Sequence, residues 1–344
     1  MPQITAEEFE RCLYGNNITD CVVREHNRFY FMGREDYTKW PASKWDSENE
    51  PAPGEDEVPK VFLVYDGARP NGRRLGKIVL TGYQRTMVAA STQPDSKGFA
   101  ISIEGDIYAI GGGVNEREAD IPTSENGGPL RGILLKLRTI DGWLYLCGGH
   151  NCVGKRLGKN SWFSHSEGVP NPPRADGLDN FLYDIDGFSE QDLYTVGNYG
   201  QVFHFDGKAW KRVSLPTNID LETVCCAGDG HVYISGAKGT TFRGRANRWQ
   251  LIHKGGGSLP FRDMVWYEDR VWCTSDYGLW HIKDGKLESA TLPDGMNAYA
   301  GNLSTAAGVL LLAGYGGAAY LANGVWTKIF SATEMNRAVA APNA

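Results

Sequence analysis

The sequence predicts an all-β chain folded as a β-propeller of four-stranded antiparallel blades, seven in number, with a short N-terminal helix. Three observations predict it. Short apolar runs are bounded by Asp-Gly, Asn-Gly and Gly-x-x-Gly, the residues of tight hairpins. The pattern "LYTVGNYGQVFHFDGKAW" (193–210) recurs as "VYISGAKGTTFRGRANRW", "VWCTSDYGLWHIKDGKLE", "LLLAGYGGAAYLANGVW" and "LYLCGGHNCVGKRLGKNSW". The recurrence places Leu193, Val232, Val271 and Leu310 about forty residues apart, the length of one propeller blade.

Each unit supplies its strands in the same order. A first apolar run ("FLYDIDG", "LETVCCAGDG", "FRDMVWYEDR", "GNLSTAAG", "GILLKLRTIDG") precedes the quoted pair, and a short run such as "KRVSL" or "QLIH" follows. A glycine ends the second strand and a tryptophan follows at nearly constant spacing: Gly148 and Trp162, Gly197 and Trp210, Gly236 and Trp249, Gly314 and Trp326. The fifth copy carries Ser275 at the glycine position and no tryptophan after Asp284-Gly285. Toward the N-terminus, "NRFYFMG" (27–33) and "GDIYAIGGG" (105–113) read as second strands of two further blades, each followed by an insertion, within 34–60 and 114–130. They complete seven blades; the count is six if one N-terminal unit is not a blade. Thr5 and Glu8 form a capping box for a helix in "TAEEFERCLYG", with Gly15 as its stop. The expected domain is 1–333, followed by a frayed tail at 334–344.

Composition narrows the function. Hydrophobic residues at 41% can bury a large core, and 43 glycines with 11% aromatics favour turns and packed sheets over helical bundles. The net charge of −6 argues against nucleic acid as a partner. The surplus is local, because "DSENEPAPGEDE" (46–57) holds six acidic residues and no basic one; a solvated loop is the simpler reading of it. Seven cysteines without a Cys-x-x-Cys argue against a disulfide framework and for a reducing compartment. The N-terminus lacks the basic and apolar regions of a signal peptide, and no run of ~18 apolar residues offers a membrane span. The expectation is a cytoplasmic protein, a monomer when free, with no membrane partner.

The turn in "VFHFDGKAW" resembles a worn Asp box, the Ser-x-Asp-x-Gly-x-Thr-Trp turn between third and fourth strands of sialidase-like propellers. Asp206, Gly207 and Trp210 match, while the serine and the spacing are lost. Asp284-Gly285 and Asn323-Gly324 with Trp326 are weaker copies. The resemblance covers about 130–333 and implies a fold; the class includes glycosidases, lyases, assembly factors and binding platforms.

Catalytic chemistry finds little footing. A sialidase needs an arginine trio, a tyrosine nucleophile with a glutamate partner and an acid/base carboxylate; Arg24, Arg28, Arg85, Arg131, Arg174 and Arg262 form no matching motif. The seven histidines show no zinc spacing, and His150 with Cys152 reads as a turn histidine beside a packed thiol. No P-loop is present. No cofactor, metal or catalytic residue is expected. What remains is the row of turns between second and third strands, which a propeller presents on one face: His150, Asn198, Tyr199, Lys238, Asp276, Tyr277 and Tyr315. Tyrosines beside polar residues on a rigid frame suit protein recognition. The expected function is a non-enzymatic protein-binding propeller, concretely an immunity or inhibitor protein covering a bacterial toxin or effector. A carbohydrate-active enzyme or lectin, and an assembly factor, are the alternatives.

Overall fold

Turn chemistry cuts the described residues of this chain into twenty-eight strands, and their pairing gives a seven-bladed β-propeller of four-stranded antiparallel blades. The computed structural model describes residues 3–341 apart from 125–126, 174–176, 178, 258 and 277. Within every blade the strands pair in chain order, so each connection joins antiparallel neighbours, by a short turn in most cases and through the 36–59 insertion between the second and third strands of blade 1.

The chain divides into two compact units, Met1–Val88 with Leu292–Ala344, and Ala89–Thr291. The first holds blade 1, formed by β1 (Asn16–Glu25), β2 (Arg28–Glu35), β3 (Lys60–Asp66) and β4 (Leu75–Leu80). In the second unit, blade 2 is β5 (Thr86–Ser91, which begins at the boundary), β6 (Lys97–Ser102), β7 (Ile107–Gly111) and β8 (Val114–Glu118). Blade 3 is β9 (Leu134–Ile140), β10 (Trp143–Gly148), β11 (Val153–Gly158) and β12 (Ser161–Ser164). Blade 4 is β13 (Leu182–Ser189), β14 (Asp192–Gly197), β15 (Val202–Phe205) and β16 (Trp210–Arg212). Blade 5 is β17 (Leu221–Cys226), β18 (Val232–Gly236), β19 (Thr241–Arg245) and β20 (Arg248–His253). Blade 6 is β21 (Asp263–Tyr267), β22 (Arg270–Ser275), β23 (Gly278–Lys283) and β24 (Lys286–Ser289). Blade 7, in the first unit, is β25 (Asn302–Ala306), β26 (Val309–Gly314), β27 (Gly317–Ala322) and β28 (Val325–Ser331).

The second strands are buried along nearly their whole length, as β14 and β26 illustrate. A sheet that buries both faces must be covered on both sides. In the second unit the blades cover one another: Ile140, Tyr145 and Val153 pack with Leu182, Ile185, Leu193 and Phe203. Val196, Val202 and Val213 meet Val224, Val232 and Ile234, and Cys225 and Tyr233 meet Met264, Val271 and Ile282. All seven cysteines are free thiols. Burial pushes Cys273 and Cys147 far above the ordinary thiol range, which suits packing rather than reactivity.

The recurring glycine has a steric cause. A Cβ at Gly148, Gly197, Gly236 or Gly314 would lie 1.9 to 2.2 Å from the carbonyl oxygen of Ile133, Phe181, Asp220 or Ala300, respectively. In each case that carbonyl belongs to the chain just before the blade's first strand. Only glycine lets the two backbones pass so closely.

Three expectations are corrected. "GDIYAIGGG" supplies β7, the third strand of blade 2; its second strand is β6, "KGFAIS", buried at every position and so without the alternation that marks a half-exposed strand. The residues 114–118, read as the start of an insertion, are β8, paired to β7 across Gly112-Gly113. The tail also differs from the expected fraying: Ala332–Ala340 forms helix α2, capped by the Ser331 hydroxyl on the Glu334 N–H and anchored by buried Met335.

Helix α1 (Ala6–Cys12) carries the expected capping box, Thr5 accepting from the Glu8 N–H while Glu8 accepts from the Thr5 N–H. Its Phe9 packs 5.9 Å from Phe330. The acidic insertion is internally bonded. Arg34 makes a forked pair with Glu55, Asp46 accepts from Asn49 and from the Glu48 N–H, and Glu57 accepts from the Gly54 N–H. Much of its charge therefore builds the loop itself.

Among the described residues no helix is long and apolar enough to cross a membrane.

Candidate functional site

Three of the turns singled out by sequence lie on consecutive blades of the second unit, and they are stitched together. His150 and Asn151 follow β10, Asn198-Tyr199-Gly200 follow β14, and Ala237-Lys238-Gly239 follow β18. His150, Asn151, Tyr199 and Lys238 all hold positive φ, from +51° to +59°. A side chain in that region costs about 1–2 kcal/mol, so the surroundings must hold each turn.

They do so through buried amides and carbonyls. Asn151 Nδ2 donates to Gln201 Oε1 at 2.8 Å, and Gln201 Nε2 donates to Asn198 Oδ1 at 2.7 Å. Asn198 also accepts from the Phe181 N–H and donates to the Asp179 carbonyl, each at 3.0 Å. This chain ties the turn of blade 3 to that of blade 4. Asp220 ties blade 4 to blade 5, its carboxylate accepting the Tyr199 N–H at 2.9 Å and its carbonyl the Ala237 N–H at 3.1 Å. The Lys238 carbonyl in turn accepts from the N–H groups of Gly256 and Gly257. Asn198 is thus a buried fastener, whereas Tyr199 and Lys238 are exposed. His150 is half-buried, with Nδ1 3.8 Å from the Asp179 carboxylate.

The remaining expected residues do not extend this row in the same way. Asp276 is exposed and bound by Arg262 at 3.1 Å. Tyr277 and Arg174 lie outside the described residues. Tyr315, 63% exposed, belongs to the first unit. Sequence reasoning missed Gln201 and Asp220, the two residues that join the turns. Gln201 sits two positions after Tyr199, but nothing in its neighbours marks its role.

Aromatic and acidic side chains lie beside the Tyr199 turn. Phe181 and Tyr183 stack in parallel, with centroids 6.3 Å apart and planes 5° apart. Burial pushes the Tyr183 hydroxyl up to about 12, helped by Asp220 and Glu222. Burial and then the Asp220 charge raise Glu222 above the usual carboxylate range.

A second polar cluster joins the inner strands. Arg138 on β9 donates to both Asp184 oxygens on β13, at 3.0 and 2.8 Å. Asp184 also accepts from the Thr223 hydroxyl at 2.8 Å and the Val224 N–H at 3.1 Å, both on β17. Lys136 binds Asp263 of β21, which lies 3.7 Å from Arg138. Burial works against both ions, yet Asp184 holds Arg138 well above its ordinary value and Arg138 holds Asp184 below its own. Both cations are committed to internal carboxylates, so the cluster ties four blades together rather than gripping an external acid. Arg24, Arg28 and Arg262 are likewise paired, with Glu25, Asp66 and Asp276. The geometry required of a sialidase trio is not built from these residues.

Asp186, two residues beyond Asp184, accepts backbone N–H groups, from Cys226 at 2.7 Å and Gly187 at 2.9 Å. Burial pushes its carboxyl up to about 6. Because the native value exceeds the unfolded value of about 3.9, its contribution to stability is full below pH 4 and is lost as pH rises through 6. Asp184 has the opposite sign: its contribution is present above pH ~4 and is lost on acidification. Carboxyl-carbon NMR is expected to show Asp186 titrating with a midpoint near 6. A midpoint near 4 would contradict the desolvated environment described here.

No family model matches the chain. Among curated proteins it is similar to the immune protein Tsi7 of Pseudomonas aeruginosa (strain PAO1), with 28% identity over 218 residues, 63% of this chain and 71% of that protein. Solved structures with the same fold include PorZ of the type-IX secretion system of Porphyromonas gingivalis, at a TM-score of 0.56 and 14% identity. That alignment covers 92% of this chain but only 38% of the PorZ chain. The WD40 propeller domain of Doa1 matches at a TM-score of 0.55 and 10% identity, covering 87% of this chain and 90% of that one. U3-55K matches at 0.57 and 14%, covering 88% and 89%. At these identities the solved structures establish the propeller fold alone.

Proposed function

We propose that this chain is a protein-binding immunity protein that neutralises a toxin or effector by binding it through the turn face of blades 3 to 5. The observation that carries the proposal is the 28% identity to Tsi7 across 63% of the chain. The geometry supports it. Exposed Tyr199 and Lys238 are held at positive φ by a network that spans three blades. Such a surface binds without first being ordered, which lowers the entropic cost of association. A rigid, exposed tyrosine is also among the residues that most often dominate an interface.

The test separates binding from folding. Tyr199→Gly and Lys238→Gly remove the side chains while relieving the positive-φ cost, so the folded state is expected to keep its melting temperature or gain slightly. Affinity for the cognate toxin or effector is expected to fall about 30-fold in the double variant, roughly 2 kcal/mol. Protection of cells that co-express that effector is expected to be lost in parallel. A wild-type chain that forms no complex and gives no protection would overturn the proposal.

A further inference from the structure

Every blade ends in an outer strand with a neighbour on one side only, and such edges are usually blunted by shortness or bulges. β8, β12, β16 and β24 have five residues or fewer. β20 and β28 are longer, but a bulge breaks the pairing of each. β4 of blade 1 differs: it has six residues and pairs with β3 without a shift. The Asp66 N–H donates to the Arg74 carbonyl at 2.8 Å, which makes that a hydrogen-bonded pair. Pair types alternate in an antiparallel ladder, so Leu75, Lys77 and Val79 turn their N–H and C=O groups away from β3. Leu75 confirms the direction. Its N–H donates to Glu8 Oε1 at 3.0 Å, and its carbonyl accepts from Arg11 Nη2 at 3.3 Å and Cys12 Sγ at 3.4 Å. Helix α1 thus covers the edge at Leu75, while the outward backbone groups of Lys77 and Val79 meet no partner among the described residues. The edge is also basic. From Gly67 to Val88 the chain has no acidic residue and carries Arg69, Arg73, Arg74, Lys77 and Arg85. Arg69 pairs with Asp66, and Arg74 binds the neutral Gln3. Arg11, Arg73, Lys77 and Arg85 are exposed and have no carboxylate partner among the described residues. Val79, on the same face of the strand as Lys77, is 52% exposed.

We infer that the open edge of β4 takes an extended, acidic segment of a partner protein as a fifth strand of blade 1. The outward N–H and C=O groups of Lys77 and Val79 supply the main-chain ladder, as in other strand additions. Val79 receives an apolar side chain opposite it, and Lys77, flanked by Arg11 and Arg73, receives a carboxylate. Charge complementarity selects this occupant. A second copy of this chain would bring two basic edges together, and like charges across a ladder are unfavourable. A lysine on an edge guards against neutral and basic strands but admits an acidic one. Nucleic acid would satisfy the cations and leave the backbone groups of Lys77 and Val79 unpaired. This surface belongs to the first unit and is separate from the turns of blades 3 to 5.

The probe is a short peptide, blocked at both ends, that contains Val-Thr-Glu. Antiparallel to β4, it sets its valine opposite Val79 and its glutamate opposite Lys77. Titrated into the full chain, it is expected to shift the amide signals of Lys77 and Val79 and to slow their hydrogen exchange. Two controls separate charge from ladder. The same peptide with glutamine for glutamate loses the charge, and a version N-methylated at its valine and glutamate keeps the charge and loses two donors. Each is expected to bind at least about tenfold more weakly. Val79→Pro removes an N–H that has no partner in the unbound chain, so the melting temperature is expected to hold while binding is lost. Lys77→Glu with Arg73→Glu is expected to reverse the preference, so that the glutamine peptide binds better. Equal binding of the glutamate and glutamine peptides would overturn the inference. Binding that survives N-methylation would also overturn it, since charge alone would then attract the peptide as any polyanion. The two readings fail separately. A chain that takes the peptide but neutralises no effector loses only the proposed function, and the converse result loses only the edge site.

Discussion

Replacing Arg156 with alanine is expected to cost about 3–5 kcal/mol of stability, seen as a large fall in the urea midpoint. Arg156 is 1% exposed on β11, and its Nη2 lies 2.9 and 3.2 Å from the two oxygens of Glu118, which is 3% exposed on β8. Its guanidinium also lies 4.6 Å over the Phe99 ring. Without it, among the described residues, Glu118 would keep only Lys97, at 3.7 Å, as a compensating charge. A buried carboxylate stripped of its main partner is a severe penalty, far larger than the net worth of the intact pair. That difference gives a sharper test. Arg156→Met combined with Glu118→Leu removes both charges and is expected to recover most of the loss. A double variant no more stable than Arg156→Ala would show that the ion pair does more than compensate itself.

Glu8→Ala is expected to destabilise the first unit by about 4 kcal/mol, a sum discounted for non-additivity. Glu8 is fully buried, and its carboxylate accepts the N–H groups of Thr5, Gly72, Arg74 and Leu75. One residue thus closes the capping box of α1 and pins the hairpin between β3 and β4. Burial alone would raise its pKa, but the four N–H donors bring it below the ordinary value. A lowered native value means that this stability is present above the unfolded pKa of about 4.3 and is lost as pH falls through the native value. Glu8→Gln should therefore cost less at low pH than at neutral pH. Thermal melts of both variants at pH 7 and pH 4 test this. A loss confined to that expected of a helix cap, about 1 kcal/mol, would mean that the hairpin does not depend on Glu8.

Both cases show where sequence reading ends. The capping box at Thr5 and Glu8 is legible, because its two partners lie three residues apart. The hairpin that Glu8 also holds is more than sixty residues away, and no local pattern announces it. The candidate site divides the same way. Turn positions follow from repeat spacing, so Tyr199 and Lys238 can be picked out. Their positive φ, and the Asn151–Gln201–Asn198 chain beside it, depend on neighbouring blades that meet only after folding. Blade 2 is harder to read because β6 has no polar alternation, and the glycine-rich hairpin after β7 imitates a turn found elsewhere in the repeat.

The sequence by itself determined the propeller of four-stranded blades, with seven expected and six left open, since hairpin turns and apolar runs are local and their spacing repeats; the strands of blade 2 it placed wrongly. It determined the glycine at the end of the second strand as a marker, though not its cause, the carbonyl that passes within about 2 Å of where a side chain would begin. Tertiary structure alone decided which charges are spent inside the protein and which face outward. Arg138, Arg156 and Glu8 look in sequence like any surface ion, yet all three are used in the interior. Asp220 and Glu222 look no different, and among the described residues they meet no cation at their turn. The reason is physical: a charge is defined by the partners and dielectric around it, and in stacked blades those come from residues distant in the chain.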